Sequence, residues 1–404
     1  MILLPAFFVE VHGFEISVIG AFIFLSKIID VTTDPFVGWL NDMNFCSRKI
    51  YLVVGGIFAG IGLYQLFLQE NISNEFHLLV WLSILYFGWT LFQIPYLSIG
   101  YDLEKNYFFR TKLSATREFF ILFGLFCSLG IPMLINVNNE DLLRYIVYAT
   151  LLFGFLGLTF FCFFITDNRE KNREKIKLKM LLKNLKDNPY LTRIFVVLTV
   201  NNIANVFPMV LFAFFITYVL GGDDSNRQVT LFYYFLFALI GVPIWTMISK
   251  KYGKKEAWSL SLFFSAIFFT LVFLLNDGHF LFFIIISCIT GFCLGADLIL
   301  PPSIQADITD LHRSKFDEDI SGVIFSLTTF INKFSFAIVS VFVFGVMGLL
   351  GFESGNKINE NVRTFIIVSY ALIPIILKIF SAYLLLKFKL QENDLQKIQK
   401  KIYG

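Results

Sequence analysis

The chain has 404 residues, of which 57% are hydrophobic and 16% charged, with a formal net charge of +3. Soluble domains carry roughly 25% charged residues, so this composition excludes an ordinary soluble protein. The cations are scattered through predicted loops and form no basic face, which argues against a nucleic-acid partner.

Apolar segments long enough to cross a bilayer as helices recur along the whole chain. The alternating ten-residue segments of a β-barrel are absent from the sequence, which therefore predicts an all-α membrane protein. A short apolar stub at 1–11 is expected to form the outer third of an incomplete first helix. Eleven full spans follow, at 14–40, 50–68, 77–100, 112–136, 143–166, 190–220, 228–249, 256–275, 279–304, 320–350 and 361–388.

A basic segment at 167–189 predicts a linker with an amphipathic surface helix between an N-terminal half, 1–166, and a C-terminal half, 190–404. The halves echo each other, since Ile94–Asp102 and Leu300–Asp307 both combine a proline-interrupted span end with a following acid. Such repeats are typical of transporters built from two six-helix halves.

Lysine and arginine are concentrated in alternate loops, in the linker and in the C-terminal tail, and the loop cations include Arg48, Arg110 and Lys254. By the positive-inside rule these regions, including the C-terminus, are expected to be cytoplasmic. We therefore expect an integral, multi-pass protein of a bacterial inner membrane.

Charged residues within the spans are the informative ones, because burying them in lipid is costly. Lys27, Asp30 and Asp34 have spacings of three and four, which place them on one helical face. Pro35 cannot donate to the preceding turn, so a free carbonyl is expected near the two acids and the Thr33 hydroxyl. Oxygen ligands of this kind suit Na⁺ or a proton. The alternative is that Lys27 neutralises one acid and the cluster only joins two helices.

Two cations also fall within spans. Arg117 lies near the start of its span and Lys333 in the middle of another. Both could hold an anionic or hydroxylated solute, or pair with Asp30 and Asp34, although Arg117 could equally snorkel to the interface. We predict that Lys333 shares one polar cavity with the two acids.

Asn201, Asn202 and Asn205 make one end of a span polar, which indicates either interhelical hydrogen bonds or a cavity lining for sugar hydroxyls. The four histidines (His12, His77, His279 and His312) fall in predicted loops, so no membrane-embedded histidine relay is expected. No hydrolase, kinase, metalloprotease or phosphate-loop motif occurs in the sequence, which argues against an enzyme and an ATP-driven pump.

Four segments together resemble the glycoside–pentoside–hexuronide:cation symporters, the melibiose permease family of the major facilitator superfamily. They are KIIDVTTDPFVGWLND, IPYLSIGYDLEKNYFFRTKLSATREFF, NNIANVFPMVLFAFFITYVLG and GADLILPPSIQADITD. The resemblance implies twelve helices in two halves, alternating access, and sugar uptake driven by Na⁺, H⁺ or Li⁺. It places the family's site residues at Asp30, Asp34, Thr90, Arg117 and Lys333, with Lys27 where an arginine is usual.

The sequence departs from the family in three places. Gln93 stands where the melibiose permease has an acid, which leaves a proton as a plausible coupling ion. Leu97 and Leu298 replace aromatic residues, so a galactoside is not expected. Most of the first helix is missing, which makes Met1 a candidate internal methionine of a longer protein.

We therefore expect a monomeric, cation-coupled secondary transporter that imports a sugar or sugar derivative, with H⁺ or Na⁺ as coupling ion and no other cofactor. The predicted cation-binding residues are Asp30, Asp34, Thr33 and Thr90, and the predicted substrate-binding residues are Arg117, Lys333, Gln93 and Asn202. We further predict proton coupling, with Asp34 as the carrier because Asp30 lies closer to Lys27. The alternatives are an uncoupled facilitator, a carrier of another solute, and a truncated, inactive membrane protein.

Overall fold

The computed structural model describes residues 16–43, 46–69, 76–104, 106–134, 139–167, 188–316, 320–352 and 359–387, and no strand occurs within these ranges. A 3₁₀ turn, Leu271–Leu274, follows the eighth of the described helices. The α-helices are α1 (Ile16–Asp42), α2 (Arg48–Phe67), α3 (Phe76–Leu103), α4 (Tyr107–Leu134), α5 (Asn139–Phe164), α6 (Pro189–Tyr218), α7 (Asp224–Tyr252), α8 (Lys254–Thr270), α9 (Phe280–Phe316), α10 (Ser321–Leu349) and α11 (Glu360–Leu386).

Each of the eleven predicted full spans falls on one of these helices, so the predicted all-α fold is confirmed. Within the described part of the chain, nine helices are long and apolar enough to cross a membrane. The predicted stub at 1–11 and most of the predicted linker, 168–187, lie outside the described residues.

The length of α9 differs from the prediction. The span was expected to end near residue 304, but α9 continues through Pro301 and Pro302 to Phe316. A proline removes one backbone hydrogen bond, and neighbouring helices can compensate for that loss inside a membrane protein. The continuation brings His312 into the helix, fully buried. The prediction that all four histidines lie in loops is therefore wrong for His312, and also for His77, which lies in α3.

Polar side chains define where several helices begin. Asn188 accepts hydrogen bonds from the backbone N–H groups of the first turn of α6, and Pro189 occupies the first helical position. Asp223 and Asn226 form a capping box at α7, and Asn359 caps α11. These side chains satisfy N–H groups that have no partner within the helix.

Asp42 joins the end of α1 to the start of α10. Its carboxylate accepts the backbone N–H of Gly322 at 2.9 Å and that of Val323 at 2.7 Å. An anionic carboxylate is favoured there because the helix dipole places partial positive charge at an N-terminus.

The helices group into two compact units. The first comprises Met1–Leu103, Gly130–Met180 and Asp319–Phe330, and the second comprises Glu104–Leu129, Leu181–Glu318 and Ile331–Gly404. The apolar core of the second unit includes the rings of Phe215 and Tyr370, which stack with their centroids 4.5 Å apart. The predicted division into halves at 167–189 stays a prediction.

Glycine permits a close approach of α2 and α3 in the first unit. A Cβ atom on Gly88 would lie 2.5 Å from the backbone nitrogen of Ala59 and 2.8 Å from the carbonyl oxygen of Gly55. Membrane helices commonly use small residues in this way, because association in lipid depends on close packing.

We expect Gly88→Val to destabilise the protein by roughly 1–3 kcal/mol, because the added side chain forces the two backbones apart. Gly154→Val is the matched control: Gly154 also lies inside a helix, but a Cβ atom there meets nothing within 4 Å. The midpoint of thermal unfolding in detergent measures both. Equal shifts for the two variants would contradict the proposed packing.

Candidate functional site

The two acids predicted in the first full span lie one helical turn apart on α1, and both are buried. The hydroxyl of Thr90, on α3, donates to Asp34 Oδ1 at 2.9 Å and lies 3.4 Å from Asp30 Oδ1. The structure thus brings Asp30, Asp34 and Thr90 into one polar cluster.

Lys27 contributes the positive charge of this cluster. Its Nζ lies 3.1 Å from Asp30 Oδ2 and 3.8 Å from the centre of the Tyr86 ring, a cation–π geometry. This ammonium compensates the charge of Asp30.

Thr33 has a different environment from the other predicted cation ligands. Its side chain is half-buried and its hydroxyl donates to the backbone carbonyl of Asp30 at 3.0 Å. The helix α1 continues through Pro35 without a break. The hydroxyl hydrogen is therefore used within the helix, whereas the lone pairs of the oxygen remain available for a ligand.

Gln93 lies on α3 one turn beyond Thr90, as its spacing of three residues predicts. Its side chain is half-buried. Its neutral amide adds no negative charge to the cluster.

Arg117, on α4, forms an ion pair that the sequence analysis did not anticipate. Its guanidinium donates twice to Glu118 Oε1, at 3.0 and 2.7 Å. The neighbouring carboxylate compensates its charge, while part of the side chain remains accessible. Its role as a substrate ligand stays a prediction.

Asn202, on α6, donates through its amide to the Asn332 side chain of α10. Lys333 follows Asn332 in the chain and is half-buried. These polar residues belong to the second compact unit, whereas Asp30 and Asp34 belong to the first. The cavity predicted to join Lys333 to the two acids stays a prediction.

Arg48 begins α2 and is 1% exposed, although it was predicted as a loop cation. Its guanidinium contacts Asp102 Oδ2 at 2.5 Å and Asp167 Oδ1 at 3.0 Å. The two carboxylates satisfy the buried charge, so Arg48 joins the ends of three helical segments of the first unit.

A second group of predicted loop cations is buried in the second unit. Arg110 donates to both oxygens of Asp310, at 2.6 and 3.1 Å, and lies 3.4 Å from Asp307. Lys254 lies 2.5 Å from Asp307 and 3.7 Å from the centre of the Tyr107 ring. Two cations thus face two carboxylates, and this balance allows the end of α9 to be buried.

Sequence reasoning missed two further membrane-embedded charges, Asp297 on α9 and Lys378 on α11. Their side chains are 8% and 4% exposed and form an ion pair. The signal that identified Asp30 and Asp34, an ionisable residue inside an apolar span, was present for both.

Chemically, the α1–α3 cluster offers carboxylate and hydroxyl oxygens. Such a group can take up one monovalent cation or one proton.

The family model for MFS/sugar transport proteins matches residues 1–392 of this chain. YjmB of Bacillus subtilis (strain 168), named as a symporter, is 26% identical over 374 residues, which cover 87% of this chain and 79% of YjmB. YagG of Escherichia coli (strain K12), named as a candidate glycoside/cation symporter, is 20% identical over 419 residues, which cover 100% of this chain and 90% of YagG.

Among solved structures, a bacterial homologue of the iron transporter ferroportin in its outward-facing state is similar with a TM-score of 0.71. The similarity covers 96% of this chain and 94% of that chain at 12% sequence identity. At this identity the similarity concerns the fold alone.

Proposed function

The chain belongs to the family of MFS/sugar transport proteins, and on that premise we propose that it is a cation-coupled secondary transporter for a sugar or a sugar derivative. Family membership confirms the resemblance seen in the sequence and makes the chain an integral, multi-pass transporter rather than an enzyme. Alternating access is the mechanism that follows from the major facilitator fold.

The observation that carries the coupling proposal is the buried pair of acids on α1. Asp30 and Asp34 are almost fully buried in a protein that spans a membrane, where an ionised carboxylate is costly. Lys27 contacts Asp30, whereas the Thr90 hydroxyl donates to Asp34. A proton or another monovalent cation taken up by Asp34 neutralises one buried carboxylate, and this makes the reorientation step depend on that cation.

A proton fits this cluster better than Na⁺. Sodium must exchange its water shell for several oxygen ligands, but Lys27 already occupies one oxygen of Asp30 and Gln93 supplies no charge. A proton needs only one carboxylate. The Thr90 hydroxyl donates to ionised Asp34 and, after rotation, can accept from the protonated acid, since a hydroxyl does both.

The solute class is supported by polar side chains of the second unit and by the relatives. Asn202 and Asn332 present amide groups that can bind sugar hydroxyls, and Lys333 can bind a carboxylate or a hydroxyl. YagG is named for a glycoside. We therefore propose a glycoside or a sugar acid as the transported solute.

Uptake into vesicles reconstituted with the full chain tests this proposal. Pentosides, hexosides and hexuronides are supplied one at a time, under an inward H⁺ gradient, under an inward Na⁺ gradient, and with neither. We expect one of these solutes to accumulate above its external concentration with the H⁺ gradient only. Equilibration without accumulation would indicate an uncoupled facilitator, and no uptake of any sugar would contradict the proposed solute class.

A further inference from the structure

A second buried cluster of charges lies in the second compact unit, where α6, α8, α9 and α11 meet. Asp297 Oδ2 and Lys378 Nζ lie 3.5 Å apart, and both side chains are more than nine-tenths buried. An isolated charge at this depth would be strongly unfavourable, so each residue depends on the other.

Hydrogen bonds close this pair into a ring. Lys378 Nζ donates to Asn205 Oδ1 at 2.6 Å, and Asn205 Nδ2 donates to Asp297 Oδ2 at 3.1 Å. The indole N–H of Trp258 donates to the other oxygen, Asp297 Oδ1, at 2.6 Å. Both carboxylate oxygens therefore accept from N–H groups, which is the hydrogen-bonding pattern of an ionised carboxylate.

The groups that donate hydrogen bonds to Asp297 differ from the group that donates to Asp34 on α1. Asp34 faces the Thr90 hydroxyl, which can donate or accept. Asp297 accepts from the N–H groups of an indole, an amide and an ammonium, and the Tyr234 hydroxyl and the Cys293 thiol also lie near it. None of the three N–H donors can accept a proton from the acid in this arrangement. A proton arriving on Asp297 would also leave Lys378 without its counter-ion. The geometry therefore favours a pair that remains ionised.

Helix α6 connects the pair to Asn202, one of the residues proposed to bind the solute. Asn205 lies one turn from Asn202, and Asn202 in turn donates to Asn332 of α10. Holding Asn205 between Asp297 and Lys378 fixes the rotation of this turn of α6, and with it the direction of the Asn202 amide.

We propose that Asp297 and Lys378 are positioning residues for the solute site: a permanently ionised pair that fixes the Asn202 turn of α6 and takes no part in cation coupling. The assignment of Asn202 to the solute rests on the proposed function, whereas the charge pair itself does not.

The test compares Asp297→Asn, Lys378→Met and the double variant with wild type. Each single variant leaves one uncompensated buried charge, so we expect at least a ten-fold loss of folded protein and of uptake. The double variant should recover the amount of folded protein and the uptake to within a few-fold of wild type.

The double variant should also keep the wild-type pH profile of uptake, but it should need a several-fold higher solute concentration for half-maximal rate. Asp277→Asn with Lys251→Met, a pair of exposed residues, is the matched control and should change nothing.

Four outcomes would overturn the proposal. Single variants as stable as wild type, or a double variant as unstable as the single ones, would show that charge compensation is not the pair's contribution. An unchanged half-saturating concentration in the double variant would remove the positioning role. A shifted pH profile would make Asp297 a coupling group. Thermal unfolding needs no solute, so it decides the role of the charge pair even if the wild-type protein transports none of the sugars tested.

Discussion

Asp34→Asn should abolish accumulation of the solute against its gradient while leaving exchange of labelled for unlabelled solute measurable. The amide retains an oxygen that can accept the Thr90 hydroxyl, so the packing of α1 against α3 is preserved. It cannot take up a proton at physiological pH, and the cation-dependent step is therefore lost. We expect accumulation to fall at least ten-fold, to equal solute concentrations inside and outside, which corresponds to about 1.4 kcal/mol or more of lost coupling.

The matched control for this variant is Asp277→Asn, which makes the same chemical change at an exposed position between the 3₁₀ turn and α9. Accumulation and exchange should both be unchanged in the control. An Asp34→Asn protein that still concentrates solute would show that Asp34 does not carry the coupling ion.

Arg110→Met should destabilise the folded protein by about 3–5 kcal/mol, because breaking a buried ion pair by removing one partner is strongly destabilising. Asp310 would lose both of its hydrogen bonds to Arg110, and Asp307 would lose its contact with the same guanidinium while keeping its contact with Lys254. Methionine retains most of the apolar volume of arginine, so loss of charge dominates the effect. The midpoint of thermal unfolding in detergent, followed on purified protein, measures the change.

Lys112→Met is the matched control for Arg110→Met. Lys112 lies two residues further along α4 and is exposed, so its loss should shift stability by no more than about 0.5 kcal/mol. Equal shifts for the two variants would show that the buried ion pairs around Arg110 do not contribute to stability.

The sequence predicted the helical fold well, because long apolar runs leave few structural options in a membrane. It also placed Asp30 and Asp34 on one helical face, since spacings of three and four are fixed by helix geometry. Thr90 came only from the resemblance to a family. Nothing local indicates that a threonine of α3 contacts α1, and the same holds for the Tyr86 ring beneath Lys27.

The predictions that failed depended on tertiary contacts. The sequence placed three cations in loops because they lie near span ends: Arg48, Arg110 and Lys254. In the structure all three are buried, and each contacts a carboxylate from another helix. The same contacts allow α9 to continue beyond its two prolines, where local preference predicts an end.

Asp297 and Lys378 were overlooked for a different reason. Neither has a second charge three or four residues away, so neither forms a local pattern. Their relationship appears only when α9 and α11 are packed together. In a membrane protein each isolated charge inside a span therefore predicts a partner on another helix.

The most direct test of proton-coupled transport is the movement of protons when solute is added. Vesicles containing the full chain are suspended in weakly buffered medium without any imposed gradient, and a transported solute is added to the outside. We predict that the external medium becomes more alkaline as protons enter with the solute, in the absence of Na⁺, and that Asp34→Asn eliminates this change. Solute entry without alkalinisation, or entry that requires Na⁺, would contradict proton-coupled transport.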